Sequence, residues 1–107
     1  MKTSTEQQTP EQAIARLQAA FADVVAVIRA EADGRKAFQD ATELANLLRA
    51  WGGDAAGLRA DLALRVAEDE KLSLAGLADR LSMSRGRAQQ LTETAKAART
   101  KEEDRDE

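Results

Sequence analysis

Four side chains within six positions, Arg85, Arg87, Gln89 and Gln90, are of the types that read base edges. A guanidinium can donate two parallel hydrogen bonds to guanine O6 and N7, and a carboxamide can pair in the same bidentate way with adenine N6 and N7. If the segment is helical, Arg85, Gln89 and Gln90 fall on its exposed side, with Glu93 one turn further on. Gly86, beside Arg85, lowers helix stability by about 1 kcal/mol against Ala and leaves room for a base or phosphate to approach closely. Ser84 suits the N-cap of such a helix, and free N–H groups at a helix start attract phosphate. Arg87 points more to the side, toward a phosphate or a base. Arg80, Lys96, Arg99 and Lys101 are the candidates for contacts to a sugar–phosphate backbone, each equally readable as a solvated surface charge.

A helix that presents these groups needs support from below. The stretch from Leu74 to Glu93, LAGLADRLSMSRGRAQQLTE, has the pattern of a helix-turn-helix. Leu77, Leu81, Met83, Ala88 and Leu91 occupy its fourth, eighth, tenth, fifteenth and eighteenth positions, where the two helices pack on each other. Ala78 is fifth, where a larger side chain would push them apart. Ser82 is ninth, in the turn, where Gly usually supplies a positive φ. Ser73 suits the N-cap of the first helix. Neither Ser73 nor Ser84 is followed three residues on by Glu or Gln, so neither makes a full capping box. The second helix is expected from Arg85 to about Ala98. The plainer alternative is a helical hairpin in a bundle core.

The net charge of −3 sits awkwardly with a polyanionic partner until it is resolved by position. Met1 to Asp79 carries nine basic and thirteen acidic residues. Arg80 to Lys101 carries six basic residues against Glu93 alone. Glu102 to Glu107 carries five acids and Arg105. The cationic block coincides with the candidate recognition helix, and the local field at a contact surface matters more than the total.

The chain has 107 residues, with no Cys and no His. That removes disulfides, thiol chemistry, the common zinc sites and the usual general base. Ser73 and Ser84 lack a His to activate them and are explained as caps. The acidic cluster Glu68, Asp69 and Glu70 reads as a solvated charge run. An enzyme, a metal site, a cofactor and a small-molecule ligand are therefore not expected. No apolar run approaches a membrane span, and MKTSTEQQTPEQ is polar, unlike a signal peptide. The expected location is the cytoplasm, in association with the nucleoid.

No segment alternates in the period of a strand, so the expected fold is all-α: a helical N-terminal arm followed by a tri-helical helix-turn-helix core. Residues 1–8 read as a disordered lead, 9–53 as a dimerisation arm, 54–101 as the helix-turn-helix domain and 102–107 as a charged tail, disordered or frayed. Thr9, Pro10 and Gln12 form a strong helix start. Ile14, Leu17, Phe21, Val24 and Ile28 then recur in steps of three and four residues, a narrow seam of heptad type. That seam serves either as a dimer interface or as a face lying on the domain's own core. Asp33-Gly34 either ends this helix or is tolerated within a longer one. A second helix is expected over about Arg35 to Trp51, ended by Gly52-Gly53. Asp54 then caps a third, about Ala55 to Asp69, with Leu58, Leu62, Ala63 and Val66 inward and Leu64 on a different side. Much of the apolar content is Ala, and a monomer with so few bulky side chains to bury would be marginal, which favours an oligomer.

The stretch SLAGLADRLSMSRGRAQQL resembles the helix-turn-helix of bacterial sigma factor region 4 and related small actinobacterial regulators. Ser84, Arg85, Arg87, Ala88, Gln89, Gln90 and Leu91 carry the likeness, which covers about a fifth of the chain. The resemblance implies that Arg85, Arg87, Gln89 and Gln90 meet the major groove. The family usually has Glu where Gly86 stands, so the same promoter element does not follow. The regions of a sigma factor that melt DNA and bind the polymerase core have no counterpart in these 107 residues, so a sigma factor is not expected. The leading expectation is a sequence-specific regulator, most simply a repressor, that binds double-stranded DNA as a homodimer with recognition helices one helical turn, ~34 Å, apart. The alternatives are a helical module that binds a sigma factor or other regulator, and a DNA-binding protein of plasmid or chromosome maintenance.

Overall fold

The computed structural model describes residues 8–106. Four helices account for its regular structure: α1 Pro10–Arg29, α2 Gly34–Glu70, α3 Leu74–Arg80 and α4 Arg85–Asp106. Among the described residues there is no strand. The chain divides into two compact units, residues 1–47 and 48–107, and the boundary falls within α2. The lead expected to be disordered lies, up to residue 7, outside the described residues.

In the first unit, α1 starts where the sequence placed it. The Gln12 N–H donates to Thr9 Oγ1 at 3.1 Å, and the Thr9 N–H donates to Gln12 Oε1 at 3.0 Å. This reciprocal capping box satisfies two backbone donors that the first turn leaves open. The helix closes at Ala30, whose N–H donates to Ala26 O. Asp33 then caps α2, its Oδ1 accepting from the Arg35 N–H at 3.0 Å. Asp33-Gly34 therefore separates two helices. No residue of α1 is buried. Ile14, Leu17, Phe21 and Val24 of the heptad seam are exposed, and only Ile28 is half-buried.

The expected break at Gly52-Gly53 is absent, because α2 runs unbroken from Gly34 to Glu70. Asp54 is accordingly not the cap of a separate helix. Neither glycine has a positive φ. A glycine ends a helix only when the chain takes up the left-handed conformation there, and the Ala, Leu and Arg residues on both sides are strong helix formers. The helix ends at Lys71 instead, at φ 55°. The Leu72 N–H returns to Ala67 O at 2.9 Å and the Lys71 N–H to Glu68 O at 3.4 Å, a Schellman closure without glycine.

The second unit packs the latter part of α2 against α3 and α4. Ala60, Ala63 and Leu64 meet Leu91 and Ala95 of α4, while Leu77 and Ala78 of α3 meet Ala88. Leu81 and Met83, from the turn between α3 and α4, pack against both groups and join them into one core. The inward face of α2 differs from expectation in part: Ala63 is buried and Val66 is half-buried against the core, as expected. Leu58 and Leu62 are exposed, and Leu64 is in the core. Bulk suggested the opposite for Leu58 and Leu62, but the contact with α4 is built mainly from alanines. Finally, α4 does not stop near Ala98 and continues to Asp106, so the tail expected to be disordered or frayed is helical as far as Asp106. Just before that tail, Arg99 pairs with Glu68 of α2 and lies in the field of Glu103 one turn on.

Candidate nucleic-acid interface

The platform for the candidate residues is the turn over residues 81–84. Ser73 Oγ accepts from the Gly76 N–H at 3.1 Å and fixes the start of α3. At its end, Ser82 takes φ 57°, the left-handed conformation that the ninth position calls for. That conformation lets the Ser82 N–H reach Asp79 O at 3.2 Å and the Met83 N–H reach Ala78 O at 2.9 Å. Two carbonyls of the last turn of α3 are thereby satisfied. Ser84 Oγ then accepts from the Arg87 N–H at 3.1 Å, and the Ala88 N–H donates to Ser84 O, which starts α4. Ala88 is fully buried beneath this start. A small residue there lets α3 and α4 cross closely, as the sequence required of Ala78.

Above this platform Arg85, Gly86, Arg87, Gln89, Gln90 and Glu93 are all exposed. At about 100° per residue, Gly86, Gln90 and Glu93 lie opposite the buried Ala88, Leu91 and Ala95. Arg85 and Gln89 occupy one flank of that ridge and Arg87 the other. Arg87 Nη1 donates to Gln90 Oε1 at 3.0 Å, and Gln89 Nε2 donates to Glu93 Oε2 at 3.0 Å. These contacts between neighbours on one helix face order the side chains and leave each donor set only partly used. The Arg85 guanidinium has no side-chain partner among the described residues. Lys96 lies on the Gln89 flank, at the rim of a cleft shared with Glu68 and Glu93. Gly86 has no Cβ clash to avoid, since an added Cβ would meet nothing within 4 Å.

Two of the expected backbone-contacting cations are already engaged. Arg80 is paired with Glu70, and Arg99 Nη1 lies 3.0 Å from Glu68 Oε2. The Arg99 guanidinium is held more firmly charged by the hydrogen bond and charge of Glu68. The cluster read as a solvated charge run thus places two carboxylates against α3 and α4. The separations of 10 and 31 residues leave no local trace in the sequence. With Arg80 and Arg99 compensated, the open cationic groups of this unit's basic block are Arg85, Arg87, Lys96 and Lys101. Among the described residues no three His, Cys, Asp or Glu side chains form a metal-sized group, and no helix is long and apolar enough to cross a membrane. No protein-family model, curated protein or solved structure matches the chain.

Proposed function

We propose that this chain is a sequence-specific DNA-binding protein, a homodimeric transcriptional regulator that represses by occupying its site. In this reading α3 and α4 form a helix-turn-helix, and the first turns of α4 lie in the major groove. The single observation that supports it most is the exposed Arg85 guanidinium, without a side-chain partner among the described residues, on the same helix start as Gln89 and Gln90 and braced by the buried Ala88. Arg85 reads a guanine and Gln89 or Gln90 an adenine, each well-made bidentate contact supplying about 1–3 kcal/mol of discrimination. Ser84, the α4 N-terminus and Lys96 take phosphates. Glu93, hydrogen-bonded to Gln89, fixes the orientation of that carboxamide and repels a phosphate placed out of register.

Fluorescence anisotropy with labelled genomic fragments, at about 50 and 200 mM salt, tests the reading. The expected result is tight binding to a small set of fragments, falling steeply with salt. Arg85→Ala and Gln89→Ala should each weaken specific binding by roughly ten- to a hundredfold while the helical content stays unchanged. Absence of salt-sensitive binding to any fragment by the folded protein refutes it. The exposed apolar seam of α1 favours one other reading, a helical module for another regulator, in which the Arg85 and Gln89 variants leave partner capture intact.

A further inference from the structure

We propose that a second copy of the chain seats on the outer face of α2 and forms a parallel, in-register two-helix seam along Leu48, Trp51, Ala55, Leu58 and Leu62. These positions follow one another in steps of three, four, three and four, the spacing of core positions in a two-stranded coiled coil. All five are exposed; Leu58 is 59% and Trp51 44% accessible. The seam points about 150° around the helix from Ala60, Ala63 and Leu64, at roughly 100° per residue. Those three already pack on α4. Ala55, Leu58 and Leu62 line an open groove with Leu81, Met83 and Leu91 of the same protomer, which leaves their outward surface exposed. In the sequence the register runs back through Leu44, Ala41 and Ala37.

The flanking charges select the occupant and its direction. Asp54 precedes Ala55 and Arg59 follows Leu58, on opposite edges of the seam. In a parallel, in-register pair a residue on the leading edge faces the partner residue five positions further on. Asp54 then meets the partner's Arg59, and the partner's Asp54 meets Arg59. An antiparallel pair would instead set Asp54 against the partner's Asp61. Neither Asp54 nor Arg59 has a side-chain partner among the described residues of its own protomer. Gly52, whose added Cβ would meet nothing in this chain, leaves space beside Trp51 for the facing helix.

The proposal rests on the reading above only in treating the chain as a homodimer, and its test uses no DNA. The protein has no Cys, so single thiols report cleanly. Leu48→Cys and Leu62→Cys are each oxidised mildly at micromolar concentration and run on a non-reducing gel. The two positions are about 21 Å apart along the helix. In the parallel seam each variant forms a covalent dimer with itself. Cross-linking only in a mixture of the two variants means an antiparallel pair and overturns the proposed direction. No cross-link in either case, with a dimer still seen by sedimentation, assigns the interface elsewhere and overturns the proposal. Leu58→Arg, at an exposed position, should weaken the dimer at least a hundredfold with unchanged helical content. Arg59→Asp should weaken it about tenfold, and combining it with Asp54→Arg should restore it. A dimer indifferent to Leu58→Arg refutes the seam. If the cross-links form while every DNA fragment fails to bind, the seam stands and the DNA reading falls.

Discussion

Replacing Ser82 by Gly should stabilise the protein, because Ser82 holds a left-handed backbone at φ 57°. An L-residue in that conformation costs about 1–2 kcal/mol relative to its favoured regions, a penalty glycine escapes. Glycine returns part of this through its greater freedom in the unfolded chain, about 0.4–1 kcal/mol. The Ser82 side chain is exposed and makes no hydrogen bond, so the substitution removes no packing or polar contact. The net gain is about 0.5–1 kcal/mol, which for a unit of this size raises Tm by roughly 2–8 °C. Thermal denaturation followed by far-ultraviolet circular dichroism measures it. Gly86→Ala is the matched control, since Gly86 sits in α4 without a positive φ and without a neighbour at Cβ. It should stabilise by about 1 kcal/mol through helix propensity alone. A lower Tm for Ser82→Gly, beside a higher one for Gly86→Ala, would refute the left-handed turn and with it the account of how α3 closes.

The same glycine logic tests the length of α2. Gly53→Ala should stabilise by about 1 kcal/mol in chemical denaturation, whereas a helix that ended there in a left-handed residue would lose stability. Ala88→Leu should destabilise the second unit by about 1–3 kcal/mol through overpacking at a position with no exposed surface; a neutral result would mean that α3 and α4 do not cross there. Leu77→Ala, also fully buried, should cost about 2–5 kcal/mol by the same measurement. The response to pH is expected to be flat near neutrality, because no side chain is a histidine. Lys36 is held more firmly protonated by its hydrogen bond and charge interaction with Asp40. A raised pKa of this kind contributes stability that is complete below the ordinary lysine value of 10.5 and lost as pH rises through the raised one. A titration of Tm between pH 6 and pH 11 should therefore fall only at its alkaline end, and a transition near pH 6 to 7 would contradict the assignment.

Local chemistry was the part of this molecule that the sequence made legible. Thr9 with Gln12, Ser73 and Ser84 all cap helices, because an N-cap depends on a hydroxyl and a backbone N–H two or three residues away. The inward set Leu77, Ala78, Ala88 and Leu91, and the positive φ at Ser82, were likewise fixed by spacing within some twenty residues. What the spacing could not show is which of two apolar faces a long helix turns inward. On α2, Leu58 and Leu62 outweigh Ala60 in bulk, and bulk is the usual guide to burial. The deciding partners lay in α4, where Leu91 and Ala95 meet Ala60, Ala63 and Leu64. The same limit hid the pairing of Arg80 and Arg99 with Glu70 and Glu68, since a contact between distant parts of the chain leaves no periodic mark. Gly52-Gly53 misled for a related reason. A glycine pair permits a helix to end and does not compel it, and here nothing captures the carbonyls that a break would release. The consequence reaches function. The latter part of α2 packs on α4 and, in the proposed dimer, carries the seam, so the surface that would join two copies and the surface that would read DNA share one helix as neighbour. Substitutions at Leu58 that abolish association should then lower DNA affinity without touching Arg85, through loss of the second half-site alone.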